Sequence, residues 1–239
     1  MQSVQEQEAH GRWVREMFGN IATRYDFINR VIAVNFDRSW RKLVVKKLQP
    51  ELQKPDGLVL DIACGTGDLS LELQKNSKAK IVGTDFCRPM MTVAQEKTAK
   101  SNFAIPYVEA DGMNLPFASD KFDAVTASFG LRNFANWQQG LNEMHRVLKP
   151  GGKLAILEFA VPTLPVFREV YNVYFDRVLP FVGGALSGNL AGYKHLNSSV
   201  RKFPDQKGFS EMIRKTGFDA VEYQNLMTGI CAIYLGTKR

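Results

Sequence analysis

Short apolar runs and apolar stripes at helical spacing alternate through the middle of this chain. Leu58–Ile62, Lys80–Thr84, Ile105–Ala110, Phe122–Ser128 and Lys153–Phe159 read as five strands. Between them, a helix opening at Asp68 carries Leu69, Leu71 and Leu73, and a second presents Met90, Met91 and Ala94. A third, from about Asn136, is marked by Trp137, Leu141, Met144 and Leu148, after which Pro150-Gly151-Gly152 turns the chain into the fifth strand. This repetition predicts an α/β fold: a doubly wound, mostly parallel sheet whose ligands gather at the carboxyl ends of its strands.

The flanks break the alternation. Trp13, Met17 and Ile21, then Phe27, Ile28, Val31 and Ile32, then Trp40, Leu43, Val44 and Leu48 predict two or three amphipathic helices. Arg41, Lys42, Lys46 and Lys47 fall off the last stripe or at its margin, and Pro50–Gly57 reads as a polar connector. Residues 1–55 therefore form a helical cap on a core spanning 56–161. Residues 162–208 are a helical insertion after the fifth strand. In it Phe167, Val170, Tyr171, Tyr174, Phe175 and Val178 share a helix face, and Gly183, Gly184, Gly188 and Gly192 make a pliable, lid-like loop. Residues 209–239 supply a helix (Phe209, Met212, Ile213), a stop at Gly217, and strands Phe218–Tyr223 and Ile230–Leu235. The sheet thus has seven strands and the chain is one domain.

Composition narrows the class. A chain of 239 residues with 45% hydrophobic content buries one sizeable core. No apolar run approaches the roughly 18 residues of a membrane span, and the polar start MQSVQEQEAHGRW has no signal-like core. Cys64, Cys87 and Cys231 are scattered without a C-x-x-C pair, which suits a reduced, cytoplasmic chain with no metal site. Residues 1–55 and 162–239 each carry 10 basic and 6 acidic side chains, whereas 56–161 carry 11 and 12. Basic flanks suit an anionic surface, lipid or nucleic acid, or are ordinary solvation. Nucleic acid is disfavoured, because the aromatics form a stripe of the buried kind.

The candidate chemistry begins at Leu58–Ser70, LVLDIACGTGDLS: a strand, a glycine turn and a helix start, which bring backbone N–H groups against a ligand. A dinucleotide fingerprint needs a third glycine where this chain has Ser70. Instead Asp61 precedes Gly65 and Gly67 as D-x-A-x-G-x-G, a form that resembles the S-adenosylmethionine loop of class I methyltransferases, with their Rossmann-like fold. Asp61, Asp85 and Asp111 close the first three strands, and carboxylates there suit the donor's ammonium group, ribose diol and adenine amine. An NAD oxidoreductase is the rival reading of the loop. Cys64 reads as a packing residue.

Nearly the whole chain resembles the C-methyltransferases of menaquinone and ubiquinone biosynthesis. The resemblance rests on MFGNIATRYDFINR, LDIACGTGDLS, DFCRPMM, EADGMNLPF, SFGLRNFAN, HRVLKPGGKLAILEF, GGALSGN, SVRKFPDQ and TGICAIYLG; FGLRN and SVRKFPDQ are specific to that family. It implies S-adenosylmethionine contacts at Thr66, Asp85, Asp111, Gly112 and Ser128, and an active-site pair Arg132 and Asn133 with Tyr25 as a third candidate. His195-Leu196-Asn197 stands where the family usually has Tyr-Leu-Pro, and Met227-Thr228-Gly229-Ile230 lacks the usual double glycine.

The implied reaction is methylation of a ring carbon of a prenylated hydroquinol, demethylmenaquinol first; a benzoquinol or another small aromatic molecule is the alternative. The prenyl tail implies peripheral contact with a membrane, and a homodimer is left open. Arg132 stays protonated, so its expected role is to hold an oxyanion or order a water. His195 is the better candidate for a proton acceptor, His145 is expected to pack or face solvent, and His10 is expected in a frayed terminus without a role.

Overall fold

The computed structural model describes residues 4–26, 36–163, 169 and 190–239. Helix α1 (Val4–Ile21) and a 3₁₀ turn (Ala22–Arg24) open the chain, followed by α2 (Asp37–Lys47) and the short α3 (Gln49–Leu52). The core then runs β1 (Leu58–Ile62), α4 (Asp68–Lys75), β2 (Lys80–Asp85), α5 (Arg88–Lys100), β3 (Tyr107–Glu109), β4 (Phe122–Ser128), α6 (Trp137–Val147) and β5 (Leu148–Phe159). Helices α7 (Leu190–Lys202) and α8 (Gln206–Lys215) precede β6 (Phe218–Leu226) and β7 (Cys231–Lys238).

The seven strands pair in the order β3-β2-β1-β4-β5-β7-β6. The first five are parallel, and β7 runs antiparallel between β5 and β6. Strand order reverses between β1 and β4, and a crevice opens at such a switch beyond the carboxyl ends. Asp61 lies there, in register with Gly83 on one side and Thr126 on the other. The central strands bury both faces, which is why they read as continuous apolar runs. Val59 joins the layer under Trp40, Val44, Leu48 and Leu73, whereas Leu60 and Ile62 join the opposite layer with Leu141, Met144, Phe209 and Ile213.

Several boundaries differ from expectation. β5 begins at Leu148, so the Pro150-Gly151-Gly152 turn lies within it, and β3 shrinks to three residues at the sheet edge. The expected connector starts as a helical turn, with Pro50 tolerated at its first turn. In α1 the inward face is Val14, Met17 and Ile21; Trp13 is 43% exposed. In α2 Arg41, expected at the margin, is buried at 6% exposure. Gly192 lies in α7 and not in a loop. The stripe at Phe167–Val178, the group Phe27, Ile28, Val31 and Ile32, and Gly183, Gly184 and Gly188 lie outside the described residues. No described helix is long and apolar enough to cross a membrane.

Candidate active site

At the end of β1 the chain reverses through Gly65 (φ +56°) and Gly67 (φ +78°), both left-handed. Gly67 is further restricted by packing: a Cβ there would lie 2.6 Å from Tyr107 Oη and 2.9 Å from Ala94 Cβ. Asp85, at the end of β2, fastens the loop by accepting the N–H groups of Gly65 and Cys87, each at 2.8 Å. Asp61 accepts the hydroxyls of Ser70 at 2.6 Å and Thr126 at 2.9 Å. The serine that replaces the dinucleotide glycine is therefore the partner of the loop's first acid. Burial pushes both carboxyls up to about 6, against the hydrogen bonds that favour their charged forms.

The third acid differs. β3 ends at Glu109, and Asp111 stands exposed beyond it, with Oδ1 accepting the Met113 N–H at 2.8 Å. Gly112 behind it is buried against Phe134, whose ring would meet a Cβ at 2.4 Å. Asp111, Gly112, Phe86, Met113 and Asn133 line a cavity of about 360 Å³ together with α1 residues that include Gly11 and Arg15.

A smaller cavity of about 30 Å³ lies against the glycine loop, lined by Tyr25, Arg41, Asp61, Gly65, Thr66, Asp68 and Ser128 among others. Ser128 Oγ is buried there without a hydrogen-bond partner among the described residues. Thr66 Oγ1 donates to Asp26 Oδ1 at 2.5 Å, and Lys97 Nζ reaches Asp26 Oδ2 at 2.8 Å and also pairs with Asp68. Asp26 and Lys97 thus tie the cap to the loop. Sequence reasoning missed both, although Asp26 stands in the quoted YD segment.

Arg132 is 8% exposed and anchored by Glu158, itself fully buried at the end of β5. Its Nη1 donates to Glu158 Oε1 at 2.9 Å and to the Phe129 carbonyl, and its backbone N–H reaches Glu158 Oε2 at 3.1 Å. The Nε–H has no partner among the described residues. The Arg132 guanidinium is therefore half of a buried ion pair. Glu158 was detectable as an acid inside the apolar run KLAILEF. His195 Nε2 lies 2.9 Å from Asn133 Oδ1, and a His10 ring nitrogen lies 3.1 Å from the Asn133 carbonyl oxygen. The Trp13 ring meets His195 edge-on at 4.8 Å. The frayed terminus expected around His10 is instead a helix held over the site. Burial, then Arg132, His10 and Lys202, pushes His195 down to about 4, so its imidazole is neutral at pH 7.

A cavity of about 550 Å³ is lined by His10, Arg132, Phe134, Trp137, His195, Ser199 and Lys202 among others; it shares His10, Phe134 and Ala135 with the 360 Å³ cavity. Tyr25 lines the loop cavity, Asn133 the middle one and Arg132 the large one. The three candidates thus lie along one edge and not around one point. His145 packs edge-on against Phe218 at 4.9 Å, and Cys64 packs near Gly83 with its thiol pushed up by burial. Among the described residues no group of three potential ligands stands close enough to hold a metal ion.

The model of the ubiE/COQ5 methyltransferase family matches residues 1–238. The chain belongs to that family. It is 43% identical to the ubiquinone/menaquinone biosynthesis C-methyltransferase UbiE of Geotalea daltonii, covering 95% of this chain and 97% of the relative. It is 41% identical to the demethylmenaquinone methyltransferase of Deinococcus radiodurans (99% and 97%) and 43% identical to that of Thermus thermophilus (93% and 100%). Among solved structures it is similar to phosphoethanolamine N-methyltransferase 2 of Haemonchus contortus in complex with S-adenosyl-L-methionine. That match has a TM-score of 0.63 and 17% identity over 84% of this chain and 52% of that one. A SAM-dependent methyltransferase of Thermotoga maritima gives 0.64 and 17% over 93% and 100%. The fold is that of the class I methyltransferases. This ubiE/COQ5 member is an S-adenosylmethionine-dependent methyltransferase, and its loop suits the cofactor: Ser128 Oγ is an orphaned buried hydroxyl, and two left-handed glycines keep the approach open.

Proposed function

We propose that this enzyme methylates a ring carbon of a prenylated hydroquinol, demethylmenaquinol in the first place. The observation that carries the reading is that Arg132 and His195 line a 550 Å³ cavity beside the donor edge, with Asn133 Oδ1, on the adjoining cavity, 2.9 Å from His195 Nε2. That volume falls within the usual range for small-molecule sites. Relatives named demethylmenaquinone methyltransferase support the naphthoquinol, and those named for ubiquinone as well keep the benzoquinol as a second acceptor.

S-adenosylmethionine supplies an electrophilic methyl on sulfur when bound, held by Asp85, Thr66, Ser128, Gly65, Gly67 and the Asp111-Gly112 turn. Asp61, bonded to Ser70 and Thr126, shapes the loop and places a carboxylate toward the cofactor's ammonium end. The ring carbon becomes nucleophilic as its neighbouring hydroxyl gives up a proton. His195 is neutral, and with Nε2–H directed at Asn133 Oδ1 its Nδ1 is the lone-pair side that accepts this proton. Arg132 faces the resulting oxyanion with its unpartnered Nε–H, and Glu158 keeps the guanidinium in place. The carbon then takes the methyl as the sulfur keeps the bonding pair, which leaves the ring proton on the same carbon. Its return to the neighbouring oxygen restores the aromatic hydroquinol, so the one proton released overall is the one His195 has taken. Tyr25 orients the donor end of the acceptor. The basic flanks meet lipid headgroups while the prenyl tail is drawn from the bilayer.

Labelled S-adenosylmethionine supplied with demethylmenaquinol or the demethylated benzoquinol in anionic vesicles tests this reading. We expect label in the naphthoquinol product, with a mass gain of one methylene. Label in neither quinol would overturn it.

A further inference from the structure

The loop cavity holds a buried cation that none of the preceding assignments uses. Arg41 is 6% exposed, and among the described residues it is the one cationic residue lining that cavity with Asp61, Gly65, Thr66 and Ser128. Its Nη1 donates to Asp37 Oδ2 at 2.7 Å and lies 3.4 Å from Asp68 Oδ2. Its other N–H groups make no hydrogen bond among the described residues. It stands close enough to Asp61 to favour that carboxylate's charged form. An Asp–Arg pair four apart on a helix earns only a few tenths of a kcal/mol, and it does so in water. Burial of this pair at the glycine loop therefore calls for a ligand. The sulfonium cofactor ends in an amino acid, with an ammonium and a carboxylate on one carbon. The cavity presents acids (Asp61, Asp68) and one guanidinium, the complement of that zwitterion.

We propose that Arg41 binds the α-carboxylate of S-adenosylmethionine, leaving the acids and loop for its ammonium. A guanidinium meets a carboxylate in a two-pronged fork, and Arg41 retains N–H groups for it. The cavity is small, about 30 Å³, so the carboxylate enters as Arg41 exchanges the 3.4 Å contact with Asp68 for the incoming group.

Calorimetry with S-adenosylhomocysteine and its decarboxylated analogue tests the assignment without any acceptor, so the outcome is independent of which ring is methylated. The wild type is expected to bind the carboxylated ligand about 10–100-fold more tightly, the scale of a charge-assisted pair. Arg41→Gln is expected to lose that preference: affinity for S-adenosylhomocysteine falls by the same factor, and affinity for the analogue changes less than about twofold. Equal weakening of both ligands would make Arg41 a scaffold residue and overturn the proposal, as would no weakening of either. Should the variant not fold, the wild type alone decides: equal affinity for the two ligands removes any carboxylate contact.

Discussion

Replacing Arg132 with alanine perturbs more than the acceptor site. Glu158 has no exposed surface and loses its guanidinium partner, keeping, among the described residues, the Arg132 backbone N–H at 3.1 Å and the Phe159 N–H at 2.9 Å. Breaking a buried pair from one side costs about 3–5 kcal/mol, and the two remaining donors place this case at the lower end. In a chain of this size each kcal/mol lowers Tm by about 2–4 °C, so Arg132→Ala is expected to melt roughly 6–12 °C early. Adding Glu158→Gln removes the stranded charge and is expected to recover much of that loss. Turnover is not expected to recover, because the oxyanion contact remains absent; the deficit is about 10²–10³-fold, as for other lost oxyanion donors. Calorimetry with S-adenosylhomocysteine should report near-normal affinity for the double variant. The reasoning is refuted if the single variant melts with the wild type, or if the double variant turns over at the wild-type rate.

Three further expectations follow from the geometry. Asp85 has a folded-state value of about 6 against 3.8, so below about pH 6 it holds a proton and stops accepting from the ribose diol. Cofactor affinity should fall toward tenfold per unit below that point in calorimetry, and Asp85→Asn should be weak and flat. For the empty protein the sign reverses: Asp61 and Asp85 bind protons more tightly folded than unfolded, so their contribution to stability declines as pH rises from about 3.8 to 6. Gly67→Ala combines a left-handed φ with a Cβ 2.6 Å from Tyr107 Oη, and should cost about 1–3 kcal/mol in denaturant unfolding and lose cofactor affinity. His195→Gln keeps an N–H for Asn133 but no basic nitrogen. Its single-turnover rate should fall about 10²–10⁴-fold with cofactor affinity intact, and a wild-type rate would remove His195 from the chemistry.

The glycine loop and the strands around it were legible because backbone needs dictate them: a left-handed turn wants Gly65 and Gly67, and doubly covered strands want unbroken apolar runs. The third acid was harder, since β3 is an edge strand of three residues and Asp111 lies past its end. Partnerships over long separations left little local trace. Glu158 is 26 residues from Arg132, Lys97 is 71 from Asp26, and His10 is 123 from Asn133. Charge at position 41 could be read, yet its burial could not, because helical periodicity places Arg41 beside the apolar stripe without saying what that margin faces. His195 stood out for its place in the glycine-rich insertion, and the structure gives it a partner in Asn133, 62 residues away.

The most direct measurement is a crystal structure with S-adenosylhomocysteine and demethylmenaquinol bound together. Its sulfur is predicted between the glycine loop and Ser128, with a ring oxygen about 3 Å from Arg132 Nε or His195 Nδ1. A sulfur away from that loop, or a ring that touches neither side chain, would contradict the assignment of donor and acceptor along this edge.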